Sequence, residues 1–180
     1  REEYTKRYSV SYVKKREEID EKLNPIKNMF TEVSSLNIVT VSGIEFLNRQ
    51  EKKIRNMLDK GVEIRLVVLK DGTQAFKEHF SNKLHSLKIL KESSEKIWEN
   101  WCYLSNEYKT LLIKYTDICI PYNILYVEKE NKEDSFIKVD IYSIDAVPED
   151  RPCLYIKPTD DMFDYFVDQF KIIWQSGFDS

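Results

Sequence analysis

The sequence predicts a single α/β domain in which a mixed β-sheet is flanked by helices. Three observations lead to this fold class. An apolar β-branched run, an amphipathic segment and a second apolar run follow one another between residues 36 and 69. Four more β-like runs come after residue 110, and the 180 residues are 42% hydrophobic with only four glycines and five prolines. Such a chain buries one core and offers no flexible linker.

The chain is expected to begin with an arm and to continue as one domain. Residues 1–23 are charged and carry only an irregular apolar stripe, which predicts a helical or partly extended arm. The domain then spans residues 24–180. Its first helix is predicted to start at Asn24 and Pro25, because Asn is a good N-cap and Pro suits the first helical position. Apolar residues then recur at helical spacing: Ile26, Met29, Phe30 and Val33.

The next segment predicts a strand–helix–strand unit. Residues 36–41 (LNIVTV) read as a strand that stops at the turn-forming pair Ser42 and Gly43. Residues 44–60 place apolar side chains on one helical face and end before Gly61, and residues 62–69 (VEIRLVVL) form the second strand. A βαβ unit of this kind places its two strands parallel in one sheet.

The remaining pattern is helical and then rich in strands. Residues 73–108 predict two helices with a break near Glu92. Four strands are predicted at residues 111–119, 124–128, 136–142 and 153–156. Residues 160–175 predict a closing helix with a broad apolar face, capped by Thr159 or Asp160.

Composition narrows the expected partners and location. The formal net charge is −3 with both signs interspersed, so nucleic acid is not expected as a partner. Three cysteines without CxxC spacing favour a reducing cytoplasm over a disulfide framework. No apolar run could span a bilayer and no signal peptide is visible, so no membrane contact is expected from this segment. The first residue is Arg1, which suggests an upstream domain of the same protein.

The sequence offers no defensible catalytic or metal-binding motif, and no cofactor is expected. The glycines do not cluster into a phosphate-binding loop, and a GxSxG elbow is missing. His79 and His85 are too far apart to share a helical face as metal ligands. Lys138 and Asp140 share a face of one predicted strand, which favours an exposed ion pair over a functional couple.

Two further groups of residues have an ordinary structural interpretation. Trp98 and Trp101 suit core packing better than base stacking, since no basic groove accompanies them in the sequence. A local lysine cluster with His85 is typical of a solvated helix face, with contact to an anionic ligand or partner as the alternative. Its members are Lys83, Lys88, Lys91 and Lys96.

Two segments resemble the phospholipase D superfamily. Residues 60–66 (KGVEIRL) are similar to its GVxVR unit, and residues 166–174 (FVDQFKIIW) are similar to its terminal FxxxFxxxW helix. The resemblance spans residues 36–176 in outline and implies a phospholipase D-like half. Residues 121–127, where the catalytic HxKxxxxD strand would lie, contain neither His nor Lys. The resemblance therefore implies a catalytically inactive domain, like the small sensor or regulatory modules of bacterial proteins that lack the signature.

These observations predict a non-catalytic ligand-sensing or protein-interaction module of a larger bacterial signalling or defence protein. The alternative is a phosphodiesterase or nuclease with a rearranged site around His79, His85 and Asp140. The expected ligand is a small anion or a nucleotide, and a homodimer is a further possible partner. Strand ends of open α/β sheets commonly hold ligands, so the predicted binding residues are Ser42, Gly43, Lys70, Asp71, Tyr122 and Asn123.

Overall fold

A computed structural model describes residues 13–41, 44–80, 98–142 and 150–179. Within them the strands are Val13–Lys15 (β1), Val33–Thr40 (β2), Glu63–Leu69 (β3), Leu111–Thr116 (β4), Tyr122–Lys129 (β5), Phe136–Ile141 (β6) and Pro152–Ile156 (β7). The helices are Arg16–Leu23 (α1), Pro25–Asn28 (α2), Ile44–Asp59 (α3), Gln74–Phe80 (α4), residues 98–107 (α5) and Met162–Ser176 (α6).

The strands form one mixed sheet in the order β1-β7-β6-β5-β2-β3-β4. Strands β2, β3 and β4 are parallel, and β5, β6, β7 and β1 continue the sheet with antiparallel pairing. Helix α3 connects the parallel neighbours β2 and β3. The predicted α/β class, the mixed sheet and the opening βαβ unit are therefore confirmed.

Both faces of the sheet are covered, because side chains of each strand alternate between them. On one face, β2 and β3 form a core cluster with α3, α5 and α1, to which α5 contributes the buried Trp101. On the other face, Val39, Val67 and Ile124 form a cluster with three phenylalanines of α6, Phe163, Phe166 and Phe170. Burial of each large apolar side chain contributes about 1.5–3 kcal/mol. The core-packing interpretation of Trp101 holds, since its side chain is 1% exposed.

The first described residues contact the sheet. Strand β1 pairs antiparallel with β7, and the backbone N–H of Arg16 donates to the carbonyl of Arg151 at 2.9 Å. Ile19 of α1 is 1% exposed and belongs to the core. Residues 13–23 of the predicted arm are thus an extended strand and a helix that both contact the domain. The division of the chain at residue 23 remains a prediction.

The helix predicted to run from Asn24 through Val33 is wrong in length. Helix α2 ends at Asn28, and Val33 is the first residue of β2. The reason is tertiary: the Lys129 side chain reaches from β5 and donates to the carbonyls of Asn28 and Thr31. Those carbonyls are the acceptors that a continuing helix would have used. The predicted capping is confirmed, since the Asn24 side chain accepts a hydrogen bond from the helix.

Helix α6 starts slightly later than the sequence predicts. The carboxylate of Asp160 accepts from the backbone N–H of Lys157 at 2.7 Å and so stabilises the turn before the helix. The N-cap position is Asp161, which makes no side-chain capping bond. None of the helices in the described ranges is long and apolar enough to cross a bilayer.

Candidate functional site

Two cations of the sheet meet the tryptophan at the end of α6. Arg65 of β3 and Lys114 of β4 lie on the same face as Val67, because strand register and alternation place them there. The guanidinium carbon of Arg65 is 5.9 Å from the centre of the Trp174 ring, and the Lys114 ammonium is 5.0 Å from it. Lys114 also donates to the carbonyl of Trp174 at 3.2 Å. These distances are those of cation–π contacts.

The chain after α6 adds a second aromatic ring and a third cation. Phe178 pairs with Tyr115 on the outer edge of β4 through two backbone hydrogen bonds of 2.8 and 2.9 Å. The ammonium of Lys70, just beyond β3, lies 5.1 Å from the centre of the Phe178 ring. Gly177 permits this approach, since a Cβ there would lie 3.1 Å from Cβ of Lys114.

We call Arg65, Lys70, Lys114, Trp174 and Phe178 the basic–aromatic surface. Its charges are only partly compensated: Arg65 forms an ion pair of 2.5 Å with Glu63, and both side chains are about 40% exposed. Among the described residues, no ion pair within 4 Å involves Lys70 or Lys114. Two ammonium groups therefore face aromatic rings and solvent, where an anion can reach them.

A cavity of about 280 Å³ adjoins this surface. It lies between α5 and the outer edge of β4, and Trp174 and Asp179 line it together with Ser105 and Asn106. We call it the edge cavity. Its wall includes five consecutive residues of β4, Leu111 through Tyr115.

The outer edge of β4 presents hydrogen-bonding backbone groups to the cavity. The carbonyls of Thr110 and Thr116 accept hydrogen bonds from Ile64 of β3 and from Lys70 just beyond it, and Tyr115 pairs outward with Phe178. Strand alternation therefore turns the N–H and C=O of Ile113 outward, on the same side as those of Tyr115. Outward backbone groups at a strand edge can pair with polar groups of a partner.

Asn123, one of the predicted ligand-binding residues, is hydrogen-bonded within the fold. Asn123 lies at the start of β5, where its side-chain oxygen accepts from the backbone N–H of Val41 at 3.4 Å and from the hydroxyl of Tyr142. Burial raises the pKa of Tyr142 to about 12, and the Arg151 guanidinium lies 5.0 Å from its ring. The oxygen of Asn123 thus already has partners within the fold.

The other predicted residues that the structure describes have different contacts. Tyr122 faces α6, where its ring contacts Phe166 edge-on at 6.0 Å between centres. Lys70 belongs to the basic–aromatic surface, and Asp71 is exposed in the following turn. Ser42 and Gly43 lie outside the described residues. A single site built from all six stays a prediction.

The pair Lys138 and Asp140 is buried rather than exposed, which corrects the sequence-based expectation. Their residues are 3% and 8% exposed. The Lys138 ammonium lies 3.3 Å from Asp140 and 3.0 Å from Asp20 of α1, and Arg16 lies 4.0 Å from Asp140. The packing of α1 and β1 beside β6 and β7 excludes solvent from this pair, whereas the strand pattern alone predicted an exposed face. Burial also raises the pKa of the Cys153 thiol, and the nearby Asp140 carboxylate adds to the effect.

Several candidate residues cannot be placed. The side chain of His79, the whole of His85 and the lysine cluster at residues 83–96 lie outside the described part of the chain. Among the residues that are described, no group of three His, Cys, Asp or Glu side chains could hold a metal ion.

Comparison with known proteins gives a match in fold. No family model matches the chain, and no curated protein is similar to it in sequence. A solved structure of TrmBL2, an archaeal chromatin protein, matches 92% of this chain at 15% identity with a TM-score of 0.50. The chain spans about half of that protein, 52% of its length. At this identity the match shows a shared fold.

The match corrects the family inferred from the sequence. The predicted phospholipase D-like resemblance was wrong: no family model supports it, and the fold match is to the chromatin protein. The two motifs behind it have ordinary structural roles here. Gly61 ends α3 with a positive φ of 78° before β3, and the aromatic residues 166–174 cover one face of the sheet.

Sequence reasoning missed the basic–aromatic surface. Trp174 was assigned only to the apolar face of the closing helix, and Arg65 and Lys114 were read as ordinary strand residues. Alternation along each strand indicated that both cations lie on the face of the sheet opposite α3. The sequence could not show that β4 lies next to β3, or that α6 ends over both strands.

Proposed function

We propose that this domain binds nucleic acid through the basic–aromatic surface. The observation that carries the proposal is the placement of three cations around two aromatic rings, with Lys70 and Lys114 free of carboxylate partners among the described residues. Ammonium and guanidinium groups bind phosphates, and aromatic side chains stack on bases.

This proposal replaces two predictions made from the sequence. A ligand-sensing or interaction module of a bacterial signalling or defence protein was expected, and nucleic acid was not expected as a partner. Both predictions were wrong against the fold match, which is to a protein described as binding DNA in a novel mode. That description supports nucleic acid as the partner class for this chain, which shares the fold over about half of the larger protein.

The acidic net charge of −3 is compatible with this proposal. Screening limits the reach of distant charges to about 8 Å at physiological salt. A phosphate next to Lys114 therefore responds mainly to the nearby charges of Lys114, Arg65, Glu63 and Asp179 rather than to acidic residues across the molecule. The net charge affects the long-range attraction between the protein and nucleic acid, but it does not decide whether a local contact forms.

The test is the salt dependence of binding to a labelled duplex and a labelled single strand, followed by fluorescence anisotropy. Replacing Lys70 and Lys114 together by Gln should weaken binding to any sequence. The slope of log affinity against log salt should fall by about one unit for each phosphate contact removed. Lys132→Gln is the matched control, because Lys132 is 82% exposed and lies in the β5–β6 connection.

The outcomes are distinct. An unchanged slope in the Lys70 and Lys114 double variant, with binding intact, would place the phosphate contacts elsewhere and refute the assigned surface. Failure of the unaltered domain to bind either strand form at low salt would refute the function. An equal effect of Lys132→Gln would show that the binding is nonspecific charge attraction.

A further inference from the structure

We propose that the edge cavity receives a single unpaired nucleobase, so that the domain prefers single-stranded to duplex nucleic acid. This inference rests on the proposed function and specifies the form of nucleic acid that the surface takes. It starts from the position of the cavity, which shares Lys114 and Trp174 with the basic–aromatic surface. A strand whose phosphates contact that surface has its bases within reach of the cavity.

The size of the cavity suits one base. Its volume is about 280 Å³, just below the range of about 300–1,000 Å³ typical of small-molecule sites. A flat aromatic ring fits such a space, whereas a base pair with both backbones does not. Bases held in a duplex are stacked and paired, so only an unpaired or extruded base can enter.

The lining offers both stacking and hydrogen bonds. Trp174 supplies an aromatic surface, already flanked by the charge of Lys114 at 5.0 Å. Ile113 directs its backbone N–H and C=O outward at the strand edge, and Ser105 keeps lone pairs after donating to the carbonyl of Cys102 at 2.8 Å. A base edge carries adjacent donors and acceptors that complement these groups.

Asp179 decides which bases fit best. A carboxylate only accepts hydrogen bonds, and here Asp179 lines the cavity together with residues of β4. It favours an exocyclic amino group, which adenine and cytosine carry and thymine lacks. It also disfavours a phosphate inside the cavity, so the phosphates stay with Lys70, Lys114 and Arg65. The structure therefore assigns base and backbone to separate, adjacent places.

The experiment compares labelled dA, dC and dT oligonucleotides with a duplex of equal length by anisotropy. The unaltered domain should bind dA and dC more tightly than dT, and any of these more tightly than the duplex. Trp174→Leu should weaken single-strand binding about 5- to 150-fold, the range for one stacked base. Asp179→Asn should reduce the preference for dA and dC over dT.

A second variant covers the case in which Trp174→Leu does not fold. Asn106 is exposed on α5 and lines the cavity, so the much larger side chain of Asn106→Trp should block the cavity without disturbing the core. It should abolish the single-strand preference and leave duplex binding unchanged. Equal affinity for duplex and single strands, unaltered by Asn106→Trp, would overturn this inference while the proposed function stands. Absence of binding to every oligonucleotide would overturn both.

Discussion

Two groups of charged residues at opposite ends of the sheet differ in what surrounds their cations. At the β6 and β7 end, the ammonium of Lys138 is 3% exposed and contacts the carboxylates of Asp20 and Asp140. At the β4 end, Lys114 contacts an aromatic ring and a carbonyl, and Lys70 contacts a ring. One group is neutralised within the fold, and the other keeps its positive charge for an external anion.

The difference indicates which cations of this chain can bind an external partner. A buried charge must be paired, because an isolated one loses several kcal/mol of hydration. The Lys138 group therefore connects α1 to the sheet and has little left to offer a partner. A cation held by a ring keeps most of its charge and part of its hydration. The following predictions test that distinction.

The largest effect is expected from Lys138→Met. It leaves the Asp20 and Asp140 carboxylates with only Arg16, at 3.4 and 4.0 Å, as their cation among the described residues, and should lower the free energy of unfolding by about 3 kcal/mol. This is the lower end of the usual range, since the Asp20 side chain is 32% exposed and can be hydrated. Urea denaturation measures it against Lys132→Met, where a change within about 0.5 kcal/mol is expected. A loss below about 1 kcal/mol would show that the cluster is not a structural connection.

A smaller effect is expected from Gly177→Ala. The added Cβ would lie 3.1 Å from Cβ of Lys114 and 3.2 Å from the carbonyl oxygen of Tyr115, so the chain must move away from β4. Overpacking of this kind costs about 1–3 kcal/mol. The displaced Phe178 should also weaken nucleic-acid binding. Gln175→Ala, at an exposed helical position, is the control for both measurements.

The charge-removing double variant Lys70→Gln and Lys114→Gln should separate stability from binding. Loss of two exposed cation–π contacts lowers the unfolding free energy by about 1 kcal/mol in total. Binding should decrease far more, in proportion to the phosphate contacts removed. A parallel urea titration and anisotropy series would decide this. A stability loss as large as that of Lys138→Met would make these lysines structural residues instead.

The smallest effect concerns Glu128 and its pH dependence. Burial alone would raise the pKa of Glu128, but hydrogen bonds from Ser35, Lys132 and Tyr126 outweigh it and hold the pKa below the ordinary value of 4.5. A lowered folded-state pKa gives stability that is present above the unfolded value and is lost as pH falls through the folded one. Glu128→Gln should therefore destabilise by about 0.5 kcal/mol at pH 7 and by nothing near pH 3.

Its control is Glu133→Gln at an exposed position of the connection that follows β5. Unfolding curves at both pH values give the comparison. An equal loss at pH 3 and pH 7 would mean that the Glu128 charge is irrelevant and only its packing matters.

Local pattern predicted those elements in which neighbouring residues decide the structure. The βαβ unit followed from two β-branched runs and an amphipathic helix, and the N-cap at Asn24 followed from its own side chain. The pattern failed where a distant residue competed with local preference. Lys129 ends α2 early from a position about a hundred residues away, and α1 buries Lys138 and Asp140, which strand alternation left at an exposed face.

The candidate site shows the same limit. The sequence placed Lys70 at a strand end, but it could not show that the Lys70 ammonium lies beside the ring of Phe178, about a hundred residues away in the chain. Nothing local to Trp174 indicates two cations, since Arg65 and Lys114 reach it only because β4 takes the edge position next to β3. Periodicity indicates which face of a strand or helix a side chain occupies, but it does not indicate which strand lies next to that element.

The sequence by itself determined the α/β class, the opening βαβ unit and the amphipathic helices, because these follow from short-range periodicity and backbone preference. Only the tertiary structure decided the strand order, the burial of the Lys138 group and the assembly of Arg65, Lys114 and Trp174. Those features depend on contacts between residues far apart in the chain. Their free energy comes from excluding solvent between elements, which no local pattern records.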